Sequence, residues 1–196
     1  GWRYLAQHLD TLLPPELLDA IDPVPFGKYA VQEEQGCFTS RGYLTLSGDE
    51  WQHDRPQAKQ ADRKPSIRER LEQSKQECRV KFPTTPEEMQ KVFERIGIGQ
   101  KDDFGQPYEE WFITDYDCYV DGLYDKLGEY ENLDELNYLA SKLDEMSQGE
   151  YEQFQAAMEI GDHSGSLQEI INLTENLDCY DIYPDIHDHD DLGRYY

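Results

Sequence analysis

The stretch LDELNYLASKLDEMSQGEYEQFQAAMEI, residues 133–160, decides the fold class of this chain. In its first half Leu133, Leu136, Leu139, Ala140 and Leu143 recur at helical spacing and make one apolar face. Asp134 and Glu145 point away from that face, and Glu135 and Asp144 flank its seam. A second helix is predicted over about 149–160, with Tyr151, Phe154, Ala157 and Met158 inward and Glu150, Glu152 and Glu159 outward. A third follows, capped at Ser166 with Glu169 three residues on, and buries Leu167, Ile170 and Ile171. Short loops between three helices predict antiparallel neighbours in a small bundle.

Further along, Cys179–Tyr183 reads as a short strand and residues 188–196 open a helix. Upstream, Thr85-Pro86-Glu87-Glu88 supplies a cap, a proline for the first turn and acids for the helix dipole. Met89, Val92, Phe93 and Ile96 follow on one face before Gly97 closes that helix. Val80–Phe82 reads as a strand end, Gly99–Pro107 as a polar loop, and Tyr108–Tyr119, rich in aromatic and β-branched residues, as a strand.

A helix is expected over residues 2–21, then a break at Pro23 and Pro25, then strands at 28–32 and 42–46 joined near Gly36. Residues 52–65 have no apolar side chain beyond alanine and read as linker, followed by a solvent-exposed helix capped at Ser66 with Glu69. The expected class is therefore α+β. A small N-terminal α/β module (1–50) is followed by a polar linker and exposed helix (51–79). Last comes an acidic region (80–196) with a small antiparallel sheet plus helix at 80–130 and a short-helix bundle at 131–196.

Charge divides the chain. Residues 1–101 carry 15 Lys/Arg against 16 Asp/Glu, whereas residues 102–196 carry 3 against 26. Duplex DNA presents one phosphate charge per about 1.7 Å of axis, so this acidic half carries the charge of roughly 40 Å of duplex. Like charges repel, which argues against direct nucleic-acid or anionic-membrane binding by that half and favours basic partners. Eleven of the 14 tyrosines lie there, and they read mainly as half-buried core residues, so the acidic half is folded.

No apolar stretch approaches the roughly 18 residues needed to span a membrane. Cys37, Cys78, Cys118 and Cys179 lack CxxC spacing and read as reduced thiols of a cytoplasmic protein, with two disulfides as the alternative. A chain that starts at Gly1 and stops at Tyr196 inside a continuing element is expected to be a fragment.

Three constellations could carry chemistry. The first is the acid array, relieved in the second half only by Lys126, Lys142 and Arg194. It is either a binding surface from which cations are kept or a solubilising one. The second is the run Asp185, His187, Asp188, His189, Asp190, Asp191, whose donors suit a divalent metal. Adjacent residues rarely converge on one ion, so a solvated acidic turn is the better reading and no metal or cofactor is expected. Asp115, Asp117 and Asp121 suggest an EF-hand, but Val120 and Lys126 stand where glycine and glutamate are required. The third is catalysis: no GxSxG, P-loop, HExxH or Cys–His context occurs, and no enzyme is expected.

The order of residues adds more. Val80-Lys81-Phe82-Pro83, then Tyr108-Glu109-Glu110 leading to Ile113-Thr114-Asp115-Tyr116-Asp117, then Gly128-Glu129-Tyr130-Glu131 and Leu133-Asp134-Glu135-Leu136-Asn137-Tyr138-Leu139, resemble the ArdA antirestriction family. Ser166–Ile170 and the Asp-rich run ending Arg194-Tyr195-Tyr196 continue the likeness. The resemblance implies an acidic mimic of B-form DNA, carried by conjugative plasmids and transposons. Such a protein occupies the DNA-binding groove of type I restriction–modification enzymes. It also implies which acids stand for phosphates: Asp115, Asp117, Glu129, Glu131, Asp134, Glu135 and Glu169. Charge alone adds Asp121, Asp125, Asp144, Glu145, Glu150, Glu152 and Glu159, with the acids of 185–191. Family members carry a further dimerising domain, so a homodimer is expected only where such a domain is present. Residues 1–79 carry no motif that assigns them to a family. The alternative function is an acidic protein-interaction module of a mobile-element protein, without a restriction enzyme as its target.

Overall fold

A computed structural model of the chain describes residues 21–51, 78–102, 104–108, 111–161 and 163–195. The helix expected over 2–21, but for its last residue, the linker at 52–65 and the helix capped at Ser66 lie outside the described residues. Six α-helices and one three-stranded antiparallel sheet make the class α+β among the described residues. The chain divides into two compact units. The first gathers Gly1–Asp54, Met146–Ser164 and Glu175–Tyr196, and the second Arg55–Glu145 and Gly165–Thr174.

In the first unit α1 (Val24–Glu34) precedes the hairpin of β1 (Cys37–Thr39) and β2 (Gly42–Leu46). The strand expected at 28–32 is thus helical. Pro25 sits in the first turn, where a missing N–H costs nothing, and Asp22 Oδ1 accepts the Val24 N–H at 3.1 Å. Gly27 and Ala30, about one turn apart, are the buried residues of this helix. Gln35 in the left-handed region (φ 53°) ends the helix.

The expected strand at 42–46 is β2, and β3 (Tyr180–Tyr183) pairs with it, Tyr43 opposite Tyr183 and Leu46 opposite Tyr180. Sheet order is β1-β2-β3. Near the C-terminus α6 (His189–Tyr195) packs against α1. An added Cβ at Gly27 would collide with the His189 carbonyl, and one at Gly193 with that of Pro23, so these two glycines permit the close approach. Ala30, Tyr43, Ile186 and Leu192 form the core there, with Phe38 and Tyr183 packed on it. Helix α4 (Gln148–Ile160), present where the periodicity predicts, packs on all three strands and buries Phe154, Ala156, Ala157 and Met158.

In the second unit α2 (Pro86–Ile96) begins with the expected capping box. The Glu88 N–H donates to Thr85 Oγ1 at 3.2 Å and Glu88 Oε2 accepts the Thr85 N–H at 3.3 Å. The chain from Gly99 to Tyr108 folds back on itself, the Gly99 N–H donating to the Tyr108 carbonyl at 2.7 Å and the Tyr108 N–H to that of Gln100 at 2.8 Å. The segments read as strands at Val80–Phe82 and Tyr108–Tyr119 form no strand among the described residues. In the latter, aromatic and β-branched propensity meets acids that compete for the backbone: Asp115 Oδ1 itself takes the Tyr116 N–H at 2.9 Å.

Helices α3 (Leu133–Glu145) and α5 (Leu167–Glu175) bury the predicted faces, Leu136 and Leu139 on the first, Leu167, Ile170 and Ile171 on the second. The Asn137 amide ties α3 to the start of α2, accepting the Thr84 N–H at 2.6 Å and donating to the Thr84 carbonyl at 3.1 Å. An open cleft of 1650 Å³ is lined by α2, the 111–120 segment and α3, with Asp115, Asp117 and Asp144 among its lining residues.

Candidate functional site

The fourteen acids picked out in the sequence fall on both units. Eleven of them lie in the second. Asp115 and Asp117 occupy the irregular stretch before Val120, and Asp121 and Asp125 flank and enter the 3₁₀ turn Tyr124–Lys126. Glu129 and Glu131 form the approach to α3. Asp134, Asp144 and Glu145 stand on the solvent side of that helix, and Glu135 is half-buried. Glu169 lies in the first turn of α5.

Several are held by the backbone. Glu131 Oε1 accepts the Gly128 N–H at 2.9 Å, and Glu169 Oε2 accepts that of Gly165 at 2.8 Å. Among the described residues, Asp117, Asp125, Glu129, Asp134, Asp144 and Glu145 are exposed or solvent-facing with no side-chain hydrogen-bond or ion-pair partner. Those six carboxylates are available to a ligand without breaking a hydrogen bond or ion pair among the described residues.

The three acids of the first unit behave differently. Glu150 is half of the capping box of α4, its carboxylate accepting the Ser147 N–H at 2.8 Å, and those bonds from Ser147 hold its carboxyl below the usual carboxylate range. Glu152 pairs with Arg41, whose hydrogen bond is the main reason its carboxyl also lies low. Glu159 accepts three hydrogen bonds from Ser40. The helical wheel places all three outward; Glu150 and Glu159 are exposed and Glu152 is half-buried, and the β1–β2 turn comes back over Glu152 and Glu159. Glu152 and Glu159 therefore fasten the hairpin to α4.

The Asp/His run resolves into a helix start. Asp188 Oδ1 accepts the N–H groups of Asp190 and Asp191 at 2.8 and 2.9 Å, Asp191 takes that of His187, and Asp190 pairs with Arg194 at 2.7 Å. The His189 ring stands edge-on to Phe38. No group of His, Cys, Asp and Glu among the described residues is arranged to hold a metal ion. All four cysteines are free, two of them exposed. No helix among the described residues is long and apolar enough to cross a membrane.

Residues 77–196 match the family model described as Antirestriction protein (ArdA). The chain belongs to the ArdA antirestriction family. The match covers more than half of the sequence and agrees with the likeness read from residues 80–196. No curated protein and no solved structure shows a significant match to the chain. The ArdA match leaves α1, β1 and β2 outside it, although β2 is the direct neighbour of β3 inside it.

Sequence reasoning missed one group in the ArdA region. Tyr119, Tyr124, Tyr130 and Tyr195 are exposed, whereas Tyr180 is buried and Tyr108, Tyr116, Tyr138, Tyr151 and Tyr183 are half-buried as expected.

Proposed function

We propose that the chain protects DNA from restriction by presenting ordered carboxylates to the DNA-binding groove of a type I restriction–modification enzyme, as a competitor of DNA rather than as a catalyst. One observation carries the reading: an antirestriction family member displays exposed acids with no hydrogen-bond or ion-pair partner among the described residues, among them Asp134, Asp144 and Glu145 on a single regular helix. A backbone already held in a helix does not have to be ordered on binding, which lowers the ordering cost to that of the side chains. Lys126 and Lys142 are the only cations in residues 102–193 of the sequence, so little within that span neutralises the acids.

The acting species is thus a fixed anionic surface, and the chemistry is ion pairing with the lysines and arginines that otherwise hold phosphates. The test is direct. A type I enzyme is given unmodified DNA with increasing amounts of the purified chain, and cleavage is followed at several salt concentrations. Inhibition near equimolar enzyme that weakens steeply with salt is expected. Undiminished cleavage at large excess overturns the reading.

A further inference from the structure

One wall of the cleft, the 111–117 segment, carries more than charge. The Ile113 N–H donates to the Glu129 carbonyl at 2.8 Å, and the Tyr116 hydroxyl donates to the Gly128 carbonyl at 2.6 Å, so segments 111–117 and 128–131 run side by side. Two ring pairs result. Phe112 and Tyr130 lie 6.5 Å apart, and Tyr116 meets Tyr124 edge-on at 6.4 Å. Three of these rings face water, Phe112 at 37 %, Tyr124 at 54 % and Tyr130 at 60 % exposure. Asp115, Asp117, Asp125, Glu129 and Glu131 share the same two segments and the turn between them, against one lysine, Lys126.

Grouped exposed rings mark interaction sites more often than isolated ones. Carboxylates beside them repel phosphate-bearing ligands and attract cations. We propose that this face receives arginine side chains of a basic protein partner, with guanidinium planes stacked on Phe112 and Tyr130 and their edges hydrogen-bonded to neighbouring carboxylates. Arginine fits where lysine does not. Its planar, weakly hydrated head can lie on a ring and engage a carboxylate through two N–H groups at once, whereas an ammonium is a compact, strongly hydrated charge. The identity of the partner rests on the antirestriction reading, but the arginine preference does not.

The experiment uses the full chain, with nona-arginine and nona-lysine peptides as probes in calorimetric titrations at low and moderate salt. Nona-arginine is expected to bind about three- to tenfold more tightly, with a preference that persists as salt rises. Replacing both rings (Phe112→Ala with Tyr130→Ala) should abolish the preference and leave nona-lysine binding unchanged, while Tyr130→Phe should keep it. Equal affinity for the two peptides, or a preference that survives removal of the rings, overturns the proposal. In the unaltered chain nona-arginine should shift the ring proton resonances of Phe112 and Tyr130. Rings unmoved at saturation overturn it whether or not the double variant folds. No restriction enzyme is present, so failure here leaves the antirestriction reading intact. Undiminished cleavage beside an intact arginine preference overturns that reading alone.

Discussion

Glu159 on α4 grips Ser40 at the tip of the β1–β2 hairpin, taking the backbone N–H at 2.9 and 3.0 Å and the hydroxyl at 2.6 Å. An acid expected to serve as a phosphate stand-in is thereby committed to the fold. Glu159→Ala is expected to lower stability by about 1–2 kcal/mol, because hydrogen bonds to a charged acceptor exceed neutral ones. Urea unfolding measures it, and a midpoint equal to the parent's would contradict the assignment.

The neighbouring pair gives a pH dependence. Arg41 holds the Glu152 carboxyl below its ordinary value, chiefly through their hydrogen bond. A carboxyl lowered in the folded state contributes stability above its unfolded value, near 4.3, and that contribution is lost as pH falls through the folded value. The pair is partly exposed, so about 1 kcal/mol or less is at stake. Glu152→Gln should therefore lose stability at neutral pH and converge on the parent as pH falls through the lowered folded value, as read by denaturant titrations at several pH values.

Glycine positions separate by what surrounds them. Gly27→Ala and Gly193→Ala should each destabilise by about 1–3 kcal/mol, since the new methyl meets the backbone of the facing helix. Gly149, in the first turn of α4 with open space around its Cβ position, should gain about 0.5–1 kcal/mol on replacement by alanine. Thermal melts of the three variants should move in these opposite directions.

On α3, Asp134→Asn, Asp144→Asn and Glu145→Gln combined should leave stability within about 0.5 kcal/mol of the parent's, because the helix dipole favours Asp134 in the first turn and opposes Asp144 and Glu145 in the last. In the restriction assay the same triple variant should inhibit less well and with a shallower salt dependence than the parent. Full inhibition by the variant would move the active surface elsewhere.

Helices were the legible part of this fold. The Leu133–Leu143 stripe, the Thr85 and Ser166 caps and the Phe154 face all act within one or two turns, so the residues that decide them are neighbours in sequence. Strands were less so. The sequence reading placed β2 and β3 correctly as separate strands, yet nothing local announces that residues 42–46 and 180–183 are partners. The same distance hid α1, whose Gly27 makes sense only once the backbone of His189 is known to stand against it. Of the acids, exposure was legible from the helical wheel, but engagement was not, since Ser40 and Arg41 reach Glu159 and Glu152 from more than a hundred positions away.

The pairing of β2 with β3 joins a portion outside the recognised family span to one inside it. Any truncation that keeps only residues 77–196 strips β3 of its ladder neighbour and bares the side of α6 that α1 covers. Such an abbreviated polypeptide should expose an open strand edge, prone to self-association. Shortened versions chosen by homology alone would then misreport the potency of the parent, and the boundary for recombinant work belongs before Pro23.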